Sequence, residues 1–264
     1  MTSNRYTMLR TLWQFLLIPV LTLTAAGPIA ARTLADVKLL GVISMCANPD
    51  SLPHASNRPD APGFQIEIGR AVAAALGVQL QVHWIIPRMR AGLVDCDMLM
   101  DSIVDPVTQR GPIKLSQAYQ KSGVALALRA GNDTVQRFQD LPPQRRVGVM
   151  TNSLASKLLN QRGLYTVPYA FESDMVADLA KGELDACAVS PATIAYFIHS
   201  HTGSGLRYVH AYDAEPELRW DLAVALRRSD DSMVDAVNDA LARFMRDGTL
   251  ARIYATYGVE YRQP

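Results

Sequence analysis

Apolar positions along this chain fall into short blocks whose period switches between that of a strand and that of a helix. Leu39-Leu-Gly-Val-Ile-Ser-Met45 reads as a short apolar strand. A long polar loop follows and ends at Gly63-Phe64. Phe64, Ile68, Val72 and Ala75 then recur at helical spacing, and Gly77 stops the helix. Val78 to Ile86 alternates bulky residues as a strand does. Arg88 to Leu93 has room only for a short helix, and Asp97-Met-Leu-Met100 is an apolar strand between acidic residues. Strand, helix, strand, short helix, strand describes an α/β unit on a parallel sheet.

The pattern then repeats. Gly123-Val-Ala-Leu-Ala-Leu-Arg129 is a strand that stops at Gly131-Asn-Asp. Arg146 to Met150 is another strand, and Ser153 caps a helix through Leu154, Leu158 and Leu159. Tyr165 to Tyr169 predicts a strand, Met175 to Lys181 a helix ended by Gly182, and Leu184 to Val189 a strand. Pro191 opens a further helix, where its missing N–H costs nothing. Asp221 to Arg227 is a strand again. Val234, Val237, Leu241, Phe244 and Met245 form the stripe of a long helix, broken at Asp247-Gly248, and Leu250 to Tyr257 adds a last one. Two strands near 124–129 and 221–227 bracket the middle unit. The simplest arrangement inserts a second lobe (128–219) into a first (32–127, completed by 220–264), with two hinge strands and one shared cleft. Each lobe is expected to be a mainly parallel sheet flanked by helices.

The start of the chain changes the count of folding residues. Arg5 and Arg10, an apolar run from Leu12 to Leu23 and small residues from Ala25 to Ala31 follow the order of a secretory signal, here 1–31. A membrane anchor is the alternative, but the run is short for a span and breaks at Gly27-Pro28. Cleavage near Ala31 would leave an exported chain without an anchor. Two of the 26 basic residues and no acidic ones lie in 1–31, which leaves 24 against 25 and a net charge of −1. Charge so scattered gives no footprint for nucleic acid or an anionic membrane. Of the three cysteines, Cys46 and Cys96 lie on predicted strands of one lobe and could pair after export. Buried unpaired thiols are the other reading.

Cys46-Ala-Asn-Pro-Asp-Ser-Leu-Pro-His-Ala-Ser56 puts irregular backbone at the carboxyl end of a strand, the edge where ligands sit in open α/β sheets. That makes Asn48, Ser51 and His54 candidate cleft residues. Thr151-Asn152-Ser153 turns a strand into a helix, so free N–H groups and the helix dipole can face the cleft. Ser153 can serve as an ordinary cap at the same time. Arg110 could reach the cleft from the first lobe, where a guanidinium suits a carboxylate. Tyr119 is expected to pack at the hinge. The five histidines are scattered, and His199 and His201 lack the spacing of a helical metal pair, so no metal site is expected. Asp95, Asp97 and Asp101 read as strand-edge carboxylates, with Asp97 capping backbone. No phosphate loop, nucleophile elbow or Cys–His pair argues for a cofactor or for catalysis.

In order, Gly63–Gly77, Ser116–Gly123, Val147–Ser153, Leu179–Ala186 and Asp247–Tyr254 resemble the signatures of the bacterial extracellular solute-binding proteins of family 3. The resemblance covers almost all of the mature chain. It implies a two-lobed periplasmic-binding-protein-like fold and a binding role without catalysis, although some relatives of this fold are small-acid dehydratases. Amino-acid binders of that family place aromatics where this chain has Ser51 and His54. They place an ammonium-binding aspartate where it has Ser190. Arg110 approximates their carboxylate-binding arginine, one residue out of step with Ser116.

The opening Cys46-Ala-Asn-Pro motif, Cys96-Asp97, Tyr196-Phe197 and Tyr257-Gly-Val259 resemble, more narrowly, the J-type periplasmic proteins associated with quinoprotein methanol dehydrogenases. That group's arginine-rich helix is reduced here to Arg88-Met-Arg90, and Ser190-Pro191 replaces its Trp-Gly. The leading expectation is therefore a periplasmic accessory protein of a quinoprotein dehydrogenase. The alternative is the binding component of an ABC uptake system, holding a small polar solute between Arg110 and the 151–153 turn.

Overall fold

The computed structural model describes residues 32–85, 96–104, 113–131 and 134–264. The sequence-predicted helix over 88–93, Arg110 and the segment 1–31 lie outside them. In chain order the elements are α1 (Leu34–Leu40), β1 (Val42–Ala47), β2 (Asp50–Ser51), β3 (Ala55–Ser56), α2 (Phe64–Leu76), β4 (Gln79–Trp84), β5 (Met98–Ile103), β6 (Ile113–Leu115), β7 (Gln120–Gly123) and β8 (Ala125–Arg129). They continue with β9 (Val147–Met150), α3 (Leu154–Gln161), β10 (Thr166–Tyr169), α4 (Glu172–Lys181), β11 (Ala186–Val189), α5 (Pro191–Ser200), β12 (Leu206–Val209), β13 (Arg219–Arg227), α6 (Asp231–Arg246) and α7 (Thr249–Thr256).

Two α/β lobes form around two sheets. The first sheet runs β4-β1-β5-β13-β6, with β7 also on β13, and the second runs β10-β9-β11-β8-β12. Both are mixed. β1, β4 and β5 are parallel, as are β9, β10 and β11, whereas β13 runs against β5 and β8 runs against β11. One expected strand is corrected: Leu39 and Leu40 end a helix, and β1 starts at Val42. Thr33 and Asp36 cap that helix reciprocally, and Gly41 ends it at φ 68°.

The elements form where burial rewards them. α2 buries Phe64, Ile66, Ile68, Val72 and Leu76 against the first sheet, and α6 adds Met233, Val237, Leu241 and Phe244 to the same core. β8 and β11 are covered on both faces, so their Ala-Leu-Ala-Leu and Ala-Cys-Ala-Val runs do not alternate. Cys187 sits in that second-lobe core as a free, buried thiol. Cys46 and Cys96 are joined by a disulfide, with Cα atoms 5.6 Å apart. Beside it, buried Asp97 accepts from the Ser44 N–H and hydroxyl (2.7 Å each) and meets the Arg32 guanidinium at 2.9 Å.

The registers fix which strand ends meet. The chain passes between sheets at Gly123-Val124 and again at Leu218-Arg219, where the Val124 N–H donates to the Leu218 carbonyl at 3.0 Å. A Cβ on Gly123 would lie 2.4 Å from that carbonyl and 2.6 Å from the Tyr212 ring, so only glycine fits. Ile103, at the end of β5, pairs with Leu222 near the start of β13. Val189, at the end of β11, pairs with Ala125 at the start of β8. The carboxyl ends of the parallel strands in both lobes therefore lie on the side of the crossing.

Candidate functional site

That shared side holds most of the candidate residues. In the first lobe they belong to a loop that is bound to itself. Asn48 Oδ1 accepts the Asp50 N–H (3.0 Å), and β2 and β3 form a two-pair hairpin. The Ser51 carbonyl accepts the His54 N–H at 2.8 Å. The first N–H groups of α2, free donors in an isolated helix, donate to this loop: Phe64 to the Pro53 carbonyl and Gln65 to the His54 carbonyl, both at 2.9 Å. Gly63, at φ 89°, allows that approach, since a Cβ there would stand 2.5 Å from the His54 oxygen. The N–H of Gly63 goes to the Tyr257 hydroxyl at 2.8 Å.

His54 also reaches inward. Its ring packs on Phe64 with centroids 4.9 Å apart, and Nδ1 lies 3.3 Å from Asp101 Oδ2. The same oxygen accepts from Gln65 Nε2 at 2.6 Å, and Oδ1 accepts from the Tyr119 hydroxyl. Asp101 is buried and left-handed (φ 54°), opposite the register shift between Ala223 and Ala225. Burial pushes its carboxyl up, but the bonds and charge from His54, with the Tyr119 and Gln65 bonds, outweigh that and hold it below the ordinary value. Burial and the neighbouring Asp101 charge push Tyr119 the opposite way, keeping it a neutral donor. This cluster ties the loop to the crossing.

The second lobe is arranged differently. Thr151 is fixed to β10, its N–H and hydroxyl both donating to the Tyr169 carbonyl (2.9 and 3.0 Å). Asn152 is left-handed at φ 60° and exposed. Ser153 Oγ accepts the Ser156 N–H at 3.0 Å. Among the described residues no protein acceptor meets the first-turn N–H groups of Leu154 and Ala155. A shallow depression of about 400 Å³ lies there, lined by Asn152, Ser153, Leu154, Ser156 and Lys157.

Ser190 has a partner that reading the sequence missed. Its N–H and hydroxyl donate to the two Glu172 oxygens (2.8 and 2.7 Å), and the Thr193 hydroxyl adds a third bond at 2.6 Å. A carboxylate therefore stands where the N-termini of α4 and α5 meet, held by neutral donors. In sequence, Glu172 is one more acidic residue in a first helical turn. Only its pairing with a residue 18 positions away separates it from the rest.

Residues 43–260 match the model of the bacterial extracellular solute-binding proteins, family 3. The chain belongs to that family. A probable histidine-binding protein of Neisseria gonorrhoeae is 24% identical over 227 residues, 82% of each chain. The L-cystine-binding protein TcyJ of Escherichia coli (strain K12) is 28% identical over 196 residues, 71% of each. The membrane-bound lytic murein transglycosylase F of Serratia proteamaculans is 24% identical over 85% of this chain but 47% of that protein. Among solved structures, an ancestral cationic amino acid solute-binding protein superposes with a TM-score of 0.71 at 19% identity, over 85% of this chain and 98% of that one. The family and its amino-acid-binding relatives place this chain among solute-binding proteins. No helix among the described residues is long and apolar enough to cross a membrane.

Proposed function

We propose that this protein is the periplasmic solute-binding component of an ABC uptake system, and that it does no chemistry of its own. The observation that carries this reading is the open N-terminus of α3 at the crossing. Its free N–H groups and dipole suit a carboxylate. Arg110 is proposed to meet the same carboxylate from the first lobe. The Glu172–Ser190 pair offers the complementary charge for an ammonium group, and Asn48, Ser51 and His54 hold the facing loop in shape. The amino-acid binders among the relatives support this reading over the dehydrogenase partner.

Calorimetric titration of the purified mature protein with amino acids tests it. Saturable 1:1 binding is expected, with stabilisation growing as the logarithm of ligand concentration. Arg110→Ala should remove both. Bond cleavage in the bound solute would end the non-catalytic reading. A second reading, an accessory protein of a quinoprotein dehydrogenase, is favoured by the way the Cys46–Ser56 motif is pinned by a disulfide and by His54–Asp101 rather than left open to a ligand. Co-purification of a dehydrogenase from periplasmic extract, with no heat from any amino acid, would establish it instead.

A further inference from the structure

Eight large apolar side chains are exposed among the described residues, and five lie at strand ends on the side of the crossing. Trp84 (41%) and Ile103 (44%) end β4 and β5, Val104 (40%) follows β5, and Leu154 (46%) and Phe171 (65%) follow β9 and β10. Scattered exposed hydrophobics need no explanation, but a concentration on one functional edge does. Phe171 adds a second, independent oddity. It occupies the N-cap of α4 with extended backbone (φ −132°, ψ 136°) and no side-chain cap bond. Ser, Thr, Asp or Asn there would satisfy a free N–H. Ser153 and Ser190 do so for α3 and α5. The chain thus forgoes a cap in order to hold an aromatic ring in solvent. Leu154 starts the helix that follows the neighbouring strand, and the two strand ends are bonded through Thr151 and Tyr169. Phe171 immediately precedes Glu172, whose carboxylate is held by Ser190 and Thr193.

Building on the receptor reading, we propose that the solute is an amino acid with a large apolar side chain, and that Phe171 and Leu154 set this specificity by covering that side chain on lobe closure. The polar head goes to the α3 N-terminus and Glu172. A strongly basic side chain would leave these apolar groups facing a hydrated cation. The test is calorimetric titration of the mature protein with glycine, L-alanine, L-leucine, L-phenylalanine and L-arginine, repeated with Phe171→Ser and Leu154→Ala. Leucine and phenylalanine should bind at least about tenfold tighter than alanine. Phe171→Ser should raise the thermal midpoint by about 2–4 °C through the new cap, yet abolish most of that preference. A merely structural Phe171 would not separate those two readouts. Alanine or arginine binding as tightly as phenylalanine overturns the proposal while leaving the receptor intact, as does a preference that survives Phe171→Ser. Heat from none of the five overturns the receptor reading together with it.

Discussion

The two lobes put the same element, a helix following a parallel strand, to opposite uses. In the first lobe the N-terminus of α2 is closed by its own loop, through the carbonyls of Pro53 and His54. In the second, no acceptor among the described residues meets the Leu154 and Ala155 N–H groups of α3, and a depression lies beside Leu154. The difference is not one of topology, because both helices follow a parallel strand of their own sheet. It lies in what precedes them. The 16 residues between β1 and α2 are enough to fold back over the helix end, whereas three residues separate β9 from α3. One lobe carries a built, internally satisfied wall, and the other carries the unsatisfied groups.

The largest expected effect removes the staple of the closed lobe. Cys46→Ser with Cys96→Ser opens a loop of sequence separation 50. It should cost about 4 kcal/mol on the chain-entropy account, read as a shifted urea midpoint. Gly63→Ala attacks the plug itself. The backbone conformation and the clash with the His54 oxygen together should cost about 3 kcal/mol, measured in the same way. If this variant is as stable as the wild type, the plug is not built as described.

Asp101→Asn should cost about 2 kcal/mol at neutral pH by weakening the bonds from His54, Tyr119 and Gln65. The sign of its pH dependence follows from the lowered carboxyl. A group held below its unfolded value adds stability above that value and loses it as pH falls through the folded one. Wild-type midpoints should therefore drop in acid more steeply than those of Asp101→Asn. Parallel slopes would remove Asp101 from the account. Ser153→Ala, on the open lobe, should cost only about 1 kcal/mol, the usual size of a lost helix cap. The smallest effect is an absence of reaction. Burial pushes the Cys187 thiol far up, with the Glu172 charge adding to it. Native protein should resist a thiol-specific reagent and react only once urea unfolds the second lobe.

Much of the fold was legible in the chain. Periodicity located α2, α6 and the strands at 146–150 and 221–227, and Ser153 marked the start of α3, although that helix buries Ala155 and Leu159 and leaves Leu154 exposed. α1 was not legible. Leu39-Leu40 continue directly into the apolar β1, and only the Thr33–Asp36 cap and the left-handed Gly41 separate helix from strand. The β2–β3 hairpin, β6 and β12 are too short to carry a period. Of the site, Ser153 could be read because a cap is local. The roles of His54 and Ser190 could not, because each depends on a partner from another element: Asp101, 47 residues away, and Glu172, 18 away. An aromatic at an N-cap such as Phe171 could have been noticed in sequence only once the helix start was known.

Gly123 has a mechanical consequence. The two chain segments that pass between the lobes touch backbone to backbone at Leu218 and are laddered together from Arg219 to Leu222. They can bend and twist as one ribbon but cannot slide past each other without breaking that ladder. Shear between the lobes is therefore opposed by the Arg219–Leu222 ladder, while bending and twisting of the ribbon are not.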